Sequence, residues 1–88
     1  MKQVNKETAR KLFEQGQTIS LYPCNVNPKT TDQNATDIQK NELFDGQKWS
    51  FDKIVNYFED GLKNDGLELA EQILLSIEEG TKAAYYIQ

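Results

Sequence analysis

Apolar side chains recur with a helical period near the middle of the chain. Counted from Phe51, the positions three, four, seven and eleven residues later are also apolar, which is typical of the buried stripe of an amphipathic helix. The stripe comprises Phe51, Ile54, Val55, Phe58 and Leu62. Ser50 stands where a hydroxyl would cap the first N–H groups, and Asp52 places a negative charge in the positive first turn. The pattern predicts a helix over residues 51–62 that packs against a core.

A further helix and a strand are predicted in the N-terminal part of the chain. Asn5 is a suitable N-cap for a helix over residues 6–15, and Gly16 follows as the C′ residue. Residues 18–22 then alternate polar and apolar side chains, which is the pattern of a half-buried strand. Pro23 lacks a backbone N–H and should end that strand.

The segment 23–49 shows no periodic pattern and is rich in Asn, Asp, Thr and Pro. It is expected to form a long polar loop, because these residues favour turns and few apolar anchors interrupt them. Loops of this length are usually functional or mobile. A mobile or loosely packed linker is favoured here over a recognition loop. Trp49 is expected to pack in the core or as a hydrophobic staple before the central helix. An exposed Trp49 would instead favour a role in binding a partner.

The last third of the chain allows two interpretations. Residues 64–66, Asn-Asp-Gly, predict a turn, and residues 67–79 then place their apolar side chains on one helical face. The alternative is a hairpin in which residues 73–77 pair with residues 83–87. The helical pattern is favoured. Residues 82–87 predict a strand that pairs antiparallel with residues 18–22.

Together these elements predict an α+β fold in a single domain, residues 1–88, with three helices packed on a small antiparallel sheet of two or three strands. A chain of 88 residues buries roughly 60–65% of its unfolded surface. Cys24 is the single cysteine, so no internal disulfide can form and the fold must depend on apolar packing.

Charge is distributed unevenly along the chain. The net charge is −4; residues 1–31 carry five cations and two carboxylates, and residues 32–88 carry five cations and twelve carboxylates. An acidic chain with a single arginine is poorly suited to bind phosphates, so direct nucleic-acid binding is not expected. The balance favours a partner protein with a basic surface.

The composition argues against catalysis. The chain has no histidine, which removes the usual general base at neutral pH and the commonest zinc ligand. One cysteine cannot form a thiolate cage, and the isolated glycines form no phosphate-binding loop. We therefore expect no enzyme activity, no cofactor and no metal site. No apolar run approaches the roughly 20 residues of a membrane span, so we expect no membrane partner and a location in the cytoplasm of a bacterial host.

A cluster of carboxylates late in the chain is the candidate protein-binding site. Its members are Glu59, Asp60, Asp65, Glu68, Glu71, Glu78 and Glu79. If residues 67–79 are helical, several of these side chains share one face over roughly 15 Å. Such a row can imitate a nucleic-acid backbone and occupy a basic groove on a partner. An ordinary solvated helix face is the simpler interpretation of the same residues.

Several motifs are similar to those of a known group of proteins. They are a basic helix, a glycine and a strand ending in Pro23-Cys24, followed by Trp49, Phe51-Asp52-Lys53-Ile54-Val55-Asn56-Tyr57-Phe58 and Tyr85-Tyr86-Ile87. In these features the chain resembles a loose group of short, uncharacterised proteins of bacteriophages and other mobile elements. The resemblance covers about half of the chain and is lost at residues 59–80, where an acidic insertion replaces a short connection. It implies a phage or plasmid accessory protein with no assigned activity.

The first functional hypothesis is a non-enzymatic inhibitor or regulator of a mobile element. It would act by binding a host nucleic-acid-handling defence protein, in the manner of an anti-CRISPR or anti-restriction protein, and its oligomeric state is left open. Two alternatives remain. One is a small nucleic-acid-binding regulator that uses the basic first helix, with Lys2, Lys6, Arg10 and Lys11. The other is a phage structural or assembly module that dimerises through a strand edge at residues 83–87.

Overall fold

Two helices and six short strands make up the described part of the protein. The computed structural model describes residues 1–67 and 82–88, except for the side chains of residues 64–67. In chain order the elements are β1 (Lys2–Val4), α1 (Lys6–Glu14), β2 (Ile19–Pro23), β3 (Thr36–Ile38), β4 (Leu43–Phe44), β5 (Gln47–Lys48), α2 (Phe51–Leu67) and β6 (Ala83–Ile87).

Both helices begin at the caps that the sequence predicts. The Oδ1 atom of Asn5 accepts a hydrogen bond of 2.8 Å from the backbone N–H of Thr8. The Oγ atom of Ser50 accepts one of 3.2 Å from the N–H of Lys53. Each bond satisfies an N–H group that has no partner within its own helix. Gly16 follows α1 with φ +93°, a left-handed conformation that glycine adopts without a steric penalty.

The four-stranded sheet has the order β1-β6-β2-β3, and every pair in it is antiparallel. The two inner strands come from opposite ends of the described chain, with Ser20 opposite Tyr86. On the outer sides, Lys2 lies opposite Ile87 and Ile19 lies opposite Ile38. The predicted antiparallel pairing of residues 18–22 with residues 82–87 is confirmed.

The core lies between one face of this sheet and the two helices. Phe13 of α1 meets Phe51 of α2 edge-to-face, with ring centroids 5.4 Å apart and both side chains 1% exposed. The stripe predicted for the central helix therefore does face the core. The buried cluster comprises Ala9, Phe13, Ile19, Leu21, Ile38, Phe51, Ile54, Val55 and Tyr85.

Strand β2 is buried on both faces, so the prediction of a half-buried strand is wrong. Ser20 and Tyr22, which point away from the helix-facing side chains, are only 3% and 6% exposed. Ser20 donates a hydrogen bond of 2.6 Å from Oγ to Oδ1 of Asp37 on the neighbouring strand. Tyr22 packs edge-on against Tyr86, with centroids 5.6 Å apart. Side chains of the neighbouring strands can cover the polar face of an inner strand, and the alternation of polar and apolar residues within that strand does not reveal this.

The predicted arrangement of three helices on a sheet of two or three strands is wrong. The described residues form two helices, a four-stranded sheet and a separate two-stranded sheet. The turn predicted at residues 64–66 is absent, because α2 continues through them to Leu67. A helix that has already formed gains one hydrogen bond per added residue, which outweighs the weak turn preference of Asn, Asp and Gly. Except for Leu67, the helix predicted over residues 67–79 lies outside the described residues, as do residues 73–77 of the alternative hairpin. The other strand of that hairpin, residues 83–87, is β6 and pairs with β1 and β2.

The segment 23–49, expected to be a long polar loop, contains three short strands. β3 pairs with the outer side of β2. Strands β4 and β5 form a hairpin around Asp45 and Gly46, whose φ values are +52° and +77°. A two-residue hairpin turn of type I′ requires positive φ at both central residues, and Asp-Gly is a favoured pair for it. The hairpin ends two residues before α2 begins.

Substitution of Phe13 by Ala tests the contact between the two helices. The change should lower the free energy of unfolding by about 3–5 kcal/mol, because it removes a fully buried aromatic ring and leaves a cavity. Urea denaturation followed by circular dichroism measures this loss. Leu43→Ala is the control, since Leu43 is 59% exposed and its truncation should cost less than about 0.5 kcal/mol. Equal losses for the two variants would contradict the described packing.

Candidate functional site

An open apolar groove runs between the β4–β5 hairpin and α2. Its volume is about 440 Å³. We call it the aromatic groove and define it by six of its residues: Phe44, Asp45 and Trp49 at the hairpin, and Tyr57, Phe58 and Gly61 on α2. On α2, Gly61 lies four residues after Tyr57 and three after Phe58, so it is a neighbour of both on the helix surface. The floor includes Ile38 and Ile54, which are buried in the core.

Trp49 contacts aromatic side chains on both sides of the groove, Phe44 at the hairpin and Tyr57 on α2. Its indole stacks on Phe44 with centroids 5.3 Å apart, and Tyr57 meets it edge-on at 5.5 Å. The ammonium group of Lys53 lies 4.5 Å from the indole centroid, which is a cation–π contact. Trp49 is half-buried and packs against the core cluster. Tyr57, by contrast, is 70% exposed although its ring is in contact with Trp49.

One exposed carboxylate, Asp45, lines the groove, and a second, Asp60, is exposed elsewhere on α2. Asp45 lies at the hairpin turn, and Asp60 is three residues after Tyr57 on α2. Lys63 follows Asp60 at i+3. The ion pairs found among the described residues involve neither Asp45 nor Asp60. The groove therefore combines an apolar floor with the negative charge of Asp45, and the positive charge of Lys53 lies over Trp49.

The structure describes the side chains of two carboxylates of the predicted protein-binding site, Glu59 and Asp60. Glu59 is half-buried, and its Oε2 atom accepts a hydrogen bond of 2.9 Å from the N–H of Ala83. This hydrogen bond connects the start of β6 to α2. Asp60 is exposed. Asp65 lies within α2, at a position whose side chain is not described. The remaining four, Glu68, Glu71, Glu78 and Glu79, lie outside the described residues.

The cations proposed for nucleic-acid binding do not form one helical face. Arg10 is paired with Asp52, with 2.7 Å between Nη2 and Oδ1, and its guanidinium lies 5.8 Å from the Phe51 ring centroid. Hydrogen bonding within this pair raises the pKa of Arg10 and lowers the pKa of Asp52. Lys2 belongs to β1, whereas Lys6 and Lys11 are exposed on α1. Arg10 thus serves the fold.

The strand edge proposed for dimerisation is already occupied. β6 lies between β1 and β2 and pairs with both. Its backbone N–H and C=O groups are therefore used within the sheet, and residues 83–87 offer no free edge. Burial also raises the pKa of the Tyr85 hydroxyl on this strand to about 12, and the nearby Glu59 carboxylate adds to the increase.

The part of the chain that the structure describes contains neither a metal-binding cluster nor a membrane-spanning helix. Among residues 1–67 and 82–88, no group of three or more His, Cys, Asp or Glu side chains could hold a metal ion. Within the same ranges, no helix is long and apolar enough to cross a membrane. A scan of protein-family models and searches of curated proteins and solved structures find no match for the chain. The resemblance to mobile-element proteins stays a prediction.

Sequence reasoning missed the aromatic groove because it placed Trp49 in the core and expected residues 23–49 to form a loop. Tyr57 lies beside the buried stripe of α2, one position before Phe58, and this offset is visible in the helical pattern. The Asp45-Gly46 pair was a second signal, since it predicts a tight hairpin directly before α2. Together the two signals place aromatic side chains from the hairpin and the helix next to each other.

The Arg10–Asp52 pair can be tested through its pH dependence. The pKa of Asp52 is lowered by the hydrogen bond from Arg10, so the unfolded chain takes up a proton at this carboxyl before the folded chain does. The loss in free energy of unfolding caused by Asp52→Asn should therefore be largest above about pH 4. This loss should shrink as the pH falls through the lowered pKa. Urea midpoints measured from neutral to acidic pH check this.

Asp32→Asn is the matched control for that experiment, because it removes the same charge from another exposed side chain. Its urea midpoint should stay close to that of the unmodified protein at neutral pH. A difference between the Asp52 variant and the unmodified protein that did not change with pH would contradict a role for the ion pair in stability.

Proposed function

We propose that this chain is a non-catalytic protein-binding factor that engages a basic surface of a partner protein through the aromatic groove. The observation that supports this most is Tyr57, an aromatic side chain that is 70% exposed and yet held in place by Trp49. Tyrosine is enriched among the residues that contribute most to protein–protein binding. A ring that is already oriented loses little conformational freedom on binding.

Charge supports a basic partner. Residues 32–88 carry seven more carboxylates than cations, and one of these carboxylates, the exposed Asp45, lines the groove itself. Complementary charge accelerates association and excludes partners of the same sign. The apolar floor would supply the buried contact area, and the carboxylates would select the partner.

We further propose that the partner is a nucleic-acid-handling defence protein of a bacterial host. The acidic composition and the resemblance to proteins of bacteriophages and mobile elements support this choice. On this proposal the chain is an inhibitor of the anti-CRISPR or anti-restriction type and acts in the host cytoplasm. Imitation of a nucleic-acid backbone is the part of this proposal that depends on Glu68, Glu71, Glu78 and Glu79.

Affinity capture from host lysate tests protein binding. The unmodified chain should retain a partner at 0.1 M salt and release it near 1 M, because the screening length falls from about 10 Å to about 3 Å. Tyr57→Ala should abolish retention at low salt. Leu43→Ala is the control, since Leu43 is also exposed but strand alternation places it on the face of the hairpin opposite Phe44. Equal retention at both salt concentrations, or by both variants, would contradict the proposal.

The nucleic-acid-mimicking form of the proposal has a separate test. The triple variant Glu68→Gln, Glu71→Gln and Glu78→Gln removes three negative charges and keeps the side-chain size. It should lose most of its inhibition of the host protein if these carboxylates replace phosphates. A variant of equal net charge, with the exposed Glu7, Asp32 and Glu42 replaced by the corresponding amides, serves as the control. Undiminished inhibition by the first variant would exclude mimicry and leave binding through the groove intact.

A further inference from the structure

We propose that Asp45 is a site of spontaneous isoaspartate formation, in which the Asp45-Gly46 link of the β4–β5 hairpin rearranges and alters one side of the aromatic groove. Three Asp-Gly pairs occur in the chain, at residues 45–46, 60–61 and 65–66. The structure places the first pair in an exposed turn and the other two within α2. This inference goes beyond the proposed function and does not depend on it.

The reaction joins the Asp45 side chain to the main chain. The backbone nitrogen of Gly46 attacks the Cγ carbon of the protonated Asp45 carboxyl group, the nitrogen loses its proton, and one water molecule leaves. The product is a five-membered succinimide ring. Water then adds to one of the two ring carbonyls, and the C–N bond at that carbonyl breaks. Opening at the former backbone carbonyl leaves the main chain running through Cγ, which is isoaspartate, and opening at Cγ restores aspartate.

Gly46 leaves the attacking nitrogen accessible. A side chain on the residue after an aspartate hinders ring closure, and glycine has none. Asp45 and Gly46 are both exposed. A Cβ atom built on Gly46 would meet nothing within 4 Å among the described residues. In the described part of the chain, therefore, nothing obstructs the ring or the water that opens it.

The N–H group of Gly46 is not needed to close the turn. The hydrogen bond that closes a four-residue turn runs from the N–H of the fourth residue to the C=O of the first. These residues are Gln47 and Phe44, which are paired in the hairpin. Gly46 is the third residue, so its nitrogen stays outside that bond. Each strand of the hairpin has two residues, and so short a hairpin gives the turn little support.

The helix protects the Asp60-Gly61 pair. Gly61 lies in the interior of α2, where the helical pattern bonds its N–H to the C=O of Tyr57. Attack on Asp60 would require that this turn of the helix open first. Asp60 and Gly61 are exposed, like Asp45 and Gly46. The two pairs therefore have the same residue types and exposure and differ in backbone conformation.

Isoaspartate at position 45 would change the groove. It adds one carbon atom to the main chain between Phe44 and Gly46, so the turn no longer matches the pairing of Phe44 with Gln47. Phe44 stacks on Trp49 with centroids 5.3 Å apart. Because the hairpin holds Phe44 in this position, the rearrangement should separate Phe44 from Trp49.

Peptide mapping of the aged protein tests the site. Trypsin cleaves after lysine and places the three pairs in separate peptides, residues 41–48, 54–63 and 64–82. The full chain is kept folded at neutral pH in water enriched in heavy oxygen and is then digested in ordinary water. Each passage through the ring introduces one heavy oxygen atom, and chromatography separates isoaspartyl from aspartyl peptides. Peptide 41–48 should exceed peptide 54–63 in both products by about tenfold or more, because α2 must open before its pair reacts.

The same incubation in urea that unfolds the chain is the control. Without the hairpin and the helix, the pairs at residues 45–46 and 60–61 should react at similar rates. Equal products from these pairs in the folded chain would overturn the inference. So would a peptide 41–48 that reacts only in urea, because the turn would then protect Asp45.

Matched substitutions extend the comparison. Asparagine forms the same ring faster, with loss of ammonia instead of water, and Asn-Gly also favours this turn. Asp45→Asn should therefore deamidate in the folded chain, whereas Asp60→Asn should keep its amide about tenfold longer or more. Similar lifetimes for the two amides would contradict the protection assigned to α2. Asp45→Glu keeps the charge but would need a six-membered ring, so its peptide 41–48 should gain no heavy oxygen.

Tryptophan fluorescence measures the effect on the groove, because Trp49 is the single tryptophan of the chain. In the unmodified chain, the fluorescence should change with the same time course as isoaspartate formation in peptide 41–48. Asp45→Glu, aged in the same way, should show no such change. Accumulation of isoaspartate at position 45 with constant fluorescence would contradict the predicted separation of Phe44 from Trp49.

Discussion

The position of β6 between β1 and β2 is the constraint on which the rest of the fold depends. This strand joins both ends of the described chain in one sheet, with Lys2 opposite Ile87 and Ser20 opposite Tyr86. Its helix-facing residue Tyr85 lies against Phe51, the first residue of α2. The bond from the N–H of Ala83 to Glu59 then fixes the middle of α2 relative to the sheet. The groove depends on this placement, because α2 forms one of its sides.

Prediction of the fold succeeded where a local signal and the tertiary structure agree. Asn5 and Ser50 satisfy N–H groups that any helix leaves unpaired, so their caps could be recognised without the fold. β1 and β3 have three residues each and no repeating pattern, and they are strands because β6 and β2 present unpaired edges to them. At residues 64–66 the continuing helix outweighs a turn signal. Sequence patterns do not contain such long-range effects.

The site was less predictable than the fold because its charge and its shape come from different segments. Counting carboxylates selected Glu59 and Asp60 but not Asp45, which lines the groove. The bond of Glu59 to Ala83 can be known only after β6 has been placed. The hairpin signal at Asp45 was present in the sequence, but its meaning depends on Trp49 bringing Tyr57 beside it. Net charge follows from the composition alone, whereas the grouping of Phe44, Trp49 and Tyr57 becomes visible only in the folded chain.

The inner position of the last strand also affects how the protein is made. Residues 83–87 supply the strand that β1 and β2 both require, so a nascent chain cannot complete its sheet until these residues have left the ribosome. Until then, Ile19 and Leu21 of β2 lack the neighbour that helps to bury them. Pairings between distant segments form slowly, and exposed apolar strands associate with other chains. Truncation before residue 83 should therefore produce an aggregating polypeptide instead of a smaller folded one.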